Sequence, residues 1–131
     1  MAQIMAELKY KKRWLLIGYA MVAFVIYSSL TSSPVSVGIA YSDKFLHTVG
    51  YFGLMGWFLQ IYHKKAAVFL LAVIFIVMGI SLEFLQDWGG VRHFEVNDMI
   101  ANSSGVLLAW VLVFTPFPGL LLWFEKRFVT G

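Results

Sequence analysis

The chain has 131 residues, of which 60% are hydrophobic, 18% aromatic and only 13% charged, with a mean hydropathy of +0.79. Soluble domains carry about 25% charged residues, so the composition excludes an ordinary water-soluble domain, an intrinsically disordered chain and a collagen-like repeat. The absence of cysteine excludes disulfides, thiolate metal sites and cysteine nucleophiles together, and the net charge of +3 is read by position, as membrane topology.

Four apolar stretches follow one another along the chain: Trp14–Leu30, Phe45–Tyr62, Ala66–Leu85 and Met99–Phe114. Each is near the length of about 20 residues that crosses a bilayer as a helix with its backbone hydrogen bonds satisfied internally. The expected fold is all-α, a single domain over residues 1–131 built as an integral membrane bundle of four transmembrane helices. Thr31–Ser42, rich in Ser and Thr and containing Pro34, reads as a loop, His63-Lys64-Lys65 as a tight hairpin, and Asp87–Asn97, with Gly89-Gly90, as a polar loop. The first stretch is read as a span and not as a cleaved signal, because its apolar run is too long and the nearest small-residue site, Gly38-Ile39-Ala40, lies well beyond it. After Pro116 and Pro118, the segment Gly119–Phe128 is too short to cross; it is expected along the interface, Trp123 and Phe124 in lipid, Lys126 and Arg127 at head groups.

Basic residues fix the expected orientation, since retained cytoplasmic loops carry the excess of Lys and Arg. Lys9, Lys11, Lys12 and Arg13 precede span one, Lys64 and Lys65 follow span two, and Lys126 and Arg127 follow span four, which makes eight of the ten. Both termini are therefore expected in the cytoplasm. Only Lys44 and Arg92 fall on the outer side, together with Asp43, Glu83, Asp87, Glu95 and Asp98.

The polar residues within or beside the spans carry the chemical information. Asp43, His47 and Tyr51 are four apart and share one face of the second helix; Glu83 and Gln86 share a face near the end of the third; Asp98 and Asn102 are four apart at the start of the fourth. All three faces reach the outer membrane edge at similar depth, so a bundle gathers them into one pocket. A charge at the bilayer centre costs about 2.5–3.5 kcal/mol on insertion scales, and such residues normally face the bundle interior. The alternative, interfacial side chains snorkelling to water, applies best to Asp43, Lys44, Asp87 and Glu95.

Helices two and four both begin at this edge, with Ser42 and Asn97 as candidate N-caps, and their N-terminal dipoles favour an anion such as phosphate. Arg92 supplies a bidentate clamp for it. Two cations stand against five acids here, however, so an anionic ligand requires a bound cation or carboxyl groups that keep their protons. A hard divalent ion on Glu83, Asp98 and His47 is chemically allowed, but the spacing matches no specific metal motif and no metal ligand is assigned. Gly50, Gly53 and Gly56 recur inside an apolar span with no strand before them, which excludes a dinucleotide fingerprint and leaves close helix packing. Gly105 invites the same reading, and a homodimer through the Gly50, Gly53, Gly56 face is the partner arrangement that four short helices allow.

At these positions the sequence resembles the VanZ-like family of small bacterial membrane proteins. The matching elements are Asp43-Lys44-x-x-His47 followed by Tyr51, then Gly79-x-x-x-Glu83-x-x-Gln86, then Arg92-x-Phe94-x-x-x-Asp98-x-x-x-Asn102-x-x-Gly105. Together they cover about half of the chain, Ser42 to Ala109, and as an ordered set they are fairly specific. The resemblance implies a multi-pass protein of the bacterial cytoplasmic (inner) membrane, in a family named for a protein associated with low-level resistance to the glycopeptide teicoplanin. It also implies kinship with membrane enzymes that act on lipid head groups and phosphate-linked carriers. The carried-over residues are His47, Glu83, Gln86, Arg92, Asp98 and Asn102, with Asp43, Lys44 and Tyr51 behind them.

Two functional expectations follow. In the first, an intramembrane lipid head-group hydrolase or transferase works at the outer leaflet on a phospholipid or lipid-linked cell-envelope precursor. His47 is general base or nucleophile, Glu83 and Asp98 orient it or supply a proton, and Asp43, Lys44, Tyr51, Gln86, Arg92 and Asn102 bind substrate. In the second, the same cluster binds a head group, a glycopeptide or a partner without chemistry, or holds the helices together. A channel is disfavoured because the polar groups stay near one membrane face, and nucleic-acid binding because the basic residues are split among short juxtamembrane segments.

Overall fold

The computed structural model describes residues 8–30, 42–90 and 96–129, with the side chains of residues 42–44 outside that description. Among the described residues every element is helical: α1 (Lys11–Leu30), α2 (Ser42–Leu59), α3 (Lys65–Trp88) and α4 (Val96–Val111). Single 3₁₀ turns at Leu112–Phe114 and Phe117–Gly119 then lead into α5 (Leu120–Phe124) and a π turn at Glu125–Val129. The sequence-read spans and the helices differ at their ends for local reasons. Apolar windows mark where lipid would begin, whereas α1 and α3 run on into the flanking Lys11-Lys12-Arg13 and Gln86-Asp87-Trp88, whose long or polar side chains suit an interface.

Three helices, Lys11–Leu30, Lys65–Trp88 and Val96–Phe114, are long and apolar enough to cross a membrane. The second differs from the expectation, because its apolar section is only Phe45–Leu59 and the helix stops before Gln60, where the chain turns toward the hairpin. The whole helix, Ser42–Leu59, has eighteen residues and at 1.5 Å each reaches about 27 Å, against a hydrocarbon core of about 30 Å. What α2 lacks in length it has in burial: Tyr51, Leu54, Met55, Phe58 and Leu59 form the middle of the core, against Val68, Ala72 and Phe75 of α3 and Val106 and Ala109 of α4.

The closest helix pairing is between α2 and α4, and one residue permits it. A Cβ at Gly105 would overlap the Thr48 carbonyl oxygen and lie 2.9 Å from the Phe52 nitrogen, so only glycine lets the two backbones meet there. Close packing at Gly50 and Gly53 is not seen within the described residues, none of which lies within 4 Å of a Cβ added at either, and at Gly56 the Phe117 ring is in ordinary contact. The close approaches fall instead at Gly105, at Gly79 and at Gly18, where a Cβ would stand 2.7 Å from the Phe58 ring.

At the opposite end from the polar cluster, the start of α1, the hairpin and the C-terminal segment are tied together. Glu125, buried, accepts hydrogen bonds from the backbone nitrogens of Lys9 and Tyr10 at 2.5 and 3.0 Å and from the Trp14 indole at 2.8 Å. The Trp57 indole donates to the Trp14 carbonyl at 2.9 Å, and His63 Nε2 donates to the Pro118 carbonyl at 3.0 Å. The carboxylate thus satisfies amide groups at the entry to α1 that a helix start leaves unpaired. Burial pushes the Glu125 carboxyl upward, but the bonds from Trp14, Tyr10 and Lys9 and the Lys9 charge outweigh it and hold the group below its ordinary value of 4.5. Trp123, Phe124 and Phe128 of this segment are exposed, while Leu121 turns inward against Leu8 and Ile61.

Candidate functional site

The distribution of polarity is inverted relative to a soluble protein. Large apolar side chains such as Phe24, Phe69, Ile74, Val77 and Leu108 are exposed, while Asp98, Glu83, Gln86, Tyr51 and Asn102 are each no more than 3% exposed. An apolar exterior is what lipid solvates, and an interior holding carboxyl and amide groups is where a membrane bundle keeps its polar residues.

Three helices bring these groups together, and Gly79 marks the point of convergence. A Cβ there would lie 3.1 Å from Asn102 Nδ2 and 3.3 Å from the Tyr51 ring, so the bare backbone of α3 seats side chains from both α4 and α2. One turn further along α3 comes Glu83, one turn back along α4 comes Asp98, and one turn back along α2 comes His47, all climbing toward the same end of the bundle. His47 Nδ1 lies 2.8 Å from Asn102 Oδ1, and the Tyr51 hydroxyl and the Glu83 carboxylate interact electrostatically. With the amide oxygen as acceptor, Nδ1 of His47 is the donor in this bond. Gln86 Nε2 donates to the Ser29 carbonyl at 2.6 Å, tying α3 to the end of α1, while its Oε1 is buried without a hydrogen-bond partner among the described residues.

Of the nine residues singled out from sequence, His47, Tyr51, Glu83, Gln86, Asp98 and Asn102 lie in this region. His47 is half-buried and the others are buried. Asp43 and Lys44 fall in the first turn of α2 with their side chains outside the described residues, and Arg92 and Glu95 lie outside them altogether. Asp87 is exposed at the end of α3, in keeping with an interfacial role. The capping role expected of Ser42 lies outside the described side chains, while that expected of Asn97 is corrected, since α4 starts at Val96 and Asn97 sits inside its first turn. Among the described residues no three His, Asp or Glu side chains stand close enough to hold a metal ion, so Glu83, Asp98 and His47 do not form an ion-binding triad. Sequence reading assigned no role to Gly79, although a glycine one turn before a buried acid is the signal that a neighbouring helix needs room there.

Fold and site together define a helical membrane bundle with a buried, mixed acid–amide–imidazole cluster toward one end. The chain belongs to the VanZ/LLP1 family, whose model matches residues 6–123. No curated protein and no solved structure matches it.

Proposed function

We propose that this is a four-span protein of the bacterial cytoplasmic membrane with both termini in the cytoplasm. Its polar cluster, in this reading, acts at the outer leaflet on the head group of a phospholipid or lipid-linked cell-envelope precursor, by hydrolysis or head-group exchange. The observation that carries the proposal is the His47–Asn102 pair, which fixes an imidazole in a bundle that has an apolar exterior and buries two carboxyl residues, Glu83 and Asp98, toward the same end. Topology supports it: α2 completes the alternation of up and down helices, since Trp57 in its last turn and His63 just after it contact Trp14 and Pro118 at the end that holds the start of α1. Most of the basic residues lie at that end, which is the cytoplasmic one by charge.

In the hydrolytic form, His47 Nε2 takes a proton from water as its oxygen bonds to phosphorus. The phosphorus–oxygen bond to the leaving alcohol breaks, and a protonated Glu83 or Asp98 returns a proton to that alcohol. Asn102 holds the ring, Lys44 and Arg92 meet the phosphate, and Asp43, Tyr51 and Gln86 position polar groups. Through an envelope precursor, the same reading connects the chain to susceptibility to glycopeptides such as teicoplanin. The test compares lipids and cell-wall precursors in cells expressing wild type, His47→Ala and Asp98→Asn at matched membrane abundance. One lipid or precursor class should change with wild type and revert with both variants; no change in any class with all three proteins inserted would end the enzymatic reading.

One observation favours a second reading, recognition without chemistry. The unpartnered Gln86 Oε1 gains a hydrogen bond from any ligand hydroxyl or amide that reaches it. Binding alone tolerates Asp98→Asn, which preserves hydrogen bonding, and catalysis does not.

A further inference from the structure

Away from the polar cluster, α1 and α3 do not close on each other. Between them lies a cavity of about 370 Å³ whose walls are Tyr19 and Val22 of α1, Phe58 and Tyr62 at the end of α2, and α3 from Ala67 to Met78. The volume is within the range of about 300–1,000 Å³ typical of small-molecule sites, and the lining is almost wholly apolar. Among the described residues, none of those proposed for the site lines it.

Two features identify what fits. The first is length: Ala67 to Met78 is twelve residues, whose eleven rises of 1.5 Å make about 16 Å of helix, which matches half of a hydrocarbon core of about 30 Å and hence the acyl depth of one leaflet. The second is charge. Lys11 Nζ stands 5.0 Å from the centroid of the Tyr62 ring, whose own atoms line the cavity, and Lys65 opens α3 two residues before Ala67. The Tyr62 end of the apolar groove therefore carries the Lys11 cation, with Lys65 in the adjoining first turn of α3, a combination complementary to a lipid with a negatively charged head group.

We infer that this groove is a binding site for an anionic glycerophospholipid of the leaflet on the basic side, with one acyl chain between α1 and α3 and the head-group phosphate at Lys11 and Lys65. The site is separate from the polar cluster and independent of the reaction proposed there. Its occupant fills the gap that α1 leaves against α3 and so fixes the position of α1.

The test uses the full chain purified in detergent and offered equal amounts of dioleoyl phosphatidylglycerol and dioleoyl phosphatidylcholine, with retained lipid counted by native mass spectrometry. Wild type should retain phosphatidylglycerol at least about fivefold over phosphatidylcholine, and Lys11→Gln and Lys65→Gln should each lower that preference by about fivefold at low ionic strength. Ala67→Trp, which fills the groove, should remove the retained lipid with both lysines in place; Leu70→Trp on its exposed lip serves the same purpose if the first variant does not fold. Equal retention of the two lipids by wild type overturns the inference. So does a preference that survives the filled groove, since the lysines would then be holding a lipid at the surface alone.

Discussion

His47 and Asn102 stand 55 residues apart in sequence and 2.8 Å apart in space, and their contact orients the imidazole ring by making Nδ1 the donor to the amide oxygen. Asn102→Leu removes the acceptor and leaves a part-buried N–H without its partner. The expected cost is about 1–3 kcal/mol, read as a lower unfolding temperature in detergent, together with loss of any lipid change that depends on wild type. Asn102→Asp keeps an acceptor oxygen and should recover stability better than Asn102→Leu does.

The backbone contact at Gly105 gives a sharper stability test. Gly105→Ala forces α2 and α4 apart at Thr48 and Phe52 and should cost about 1–3 kcal/mol as overpacking. Gly50→Ala and Gly53→Ala meet nothing within 4 Å and should leave stability unchanged or raise it by up to about 1 kcal/mol through helix propensity. Thermal unfolding of the three variants in one detergent checks the order. A dimer packed through Gly50 and Gly53 would reverse it, and cross-linking in membranes would reveal that dimer.

Glu125 supplies a pH signature. Its carboxyl sits below 4.5 in the folded chain, so its contribution to stability is fully present above that value and is lost as pH falls through the lower, folded-state value. Glu125→Gln replaces two acceptor oxygens by one against three donors. It should cost about 1 kcal/mol at neutral pH, at the low end for a lost partner because the amides of Lys9 and Tyr10 are only part-buried. Comparing unfolding of wild type and variant from pH 7 down to pH 3 should show the difference shrinking below about pH 4.5.

Gln86 should separate stability from function. Gln86→Met gives up the bond to the Ser29 carbonyl but also removes an unpaired buried oxygen, so the two effects offset and unfolding should shift by less than about 1 kcal/mol. Head-group binding or turnover should nevertheless fall. Equal loss of stability and function would assign Gln86 to holding α1 against α3.

Much of the candidate site was legible because polar residues at helical spacing are rare in an apolar chain, and their cost in lipid forces them together. That logic reaches His47, Tyr51, Glu83, Gln86, Asp98 and Asn102. It fails where contacts depend on backbone geometry. The glycine periodicity of α2 points to Gly50 and Gly53, but the close approach is made by Gly105, because the crossing point of α2 and α4 is set by both helices and neither sequence contains it alone. Hydropathy likewise finds an apolar stretch through Tyr62, yet cannot register that the backbone leaves the helix after Leu59. Glu125 escaped for another reason: an acid in a short basic tail reads as solvated, and its partners are backbone amides more than a hundred residues earlier, which no side-chain pattern records.

That last contact also bears on biosynthesis. The amide groups of Lys9 and Tyr10 are made at the beginning of translation, but the carboxylate that accepts from them is added only after all the long helices have been synthesised. The first helix must therefore enter the membrane with its leading turn uncapped and be locked in place after the ribosome has passed residue 125. Nascent chains stalled before and after that point should differ in how readily a protease reaches the residues just ahead of α1.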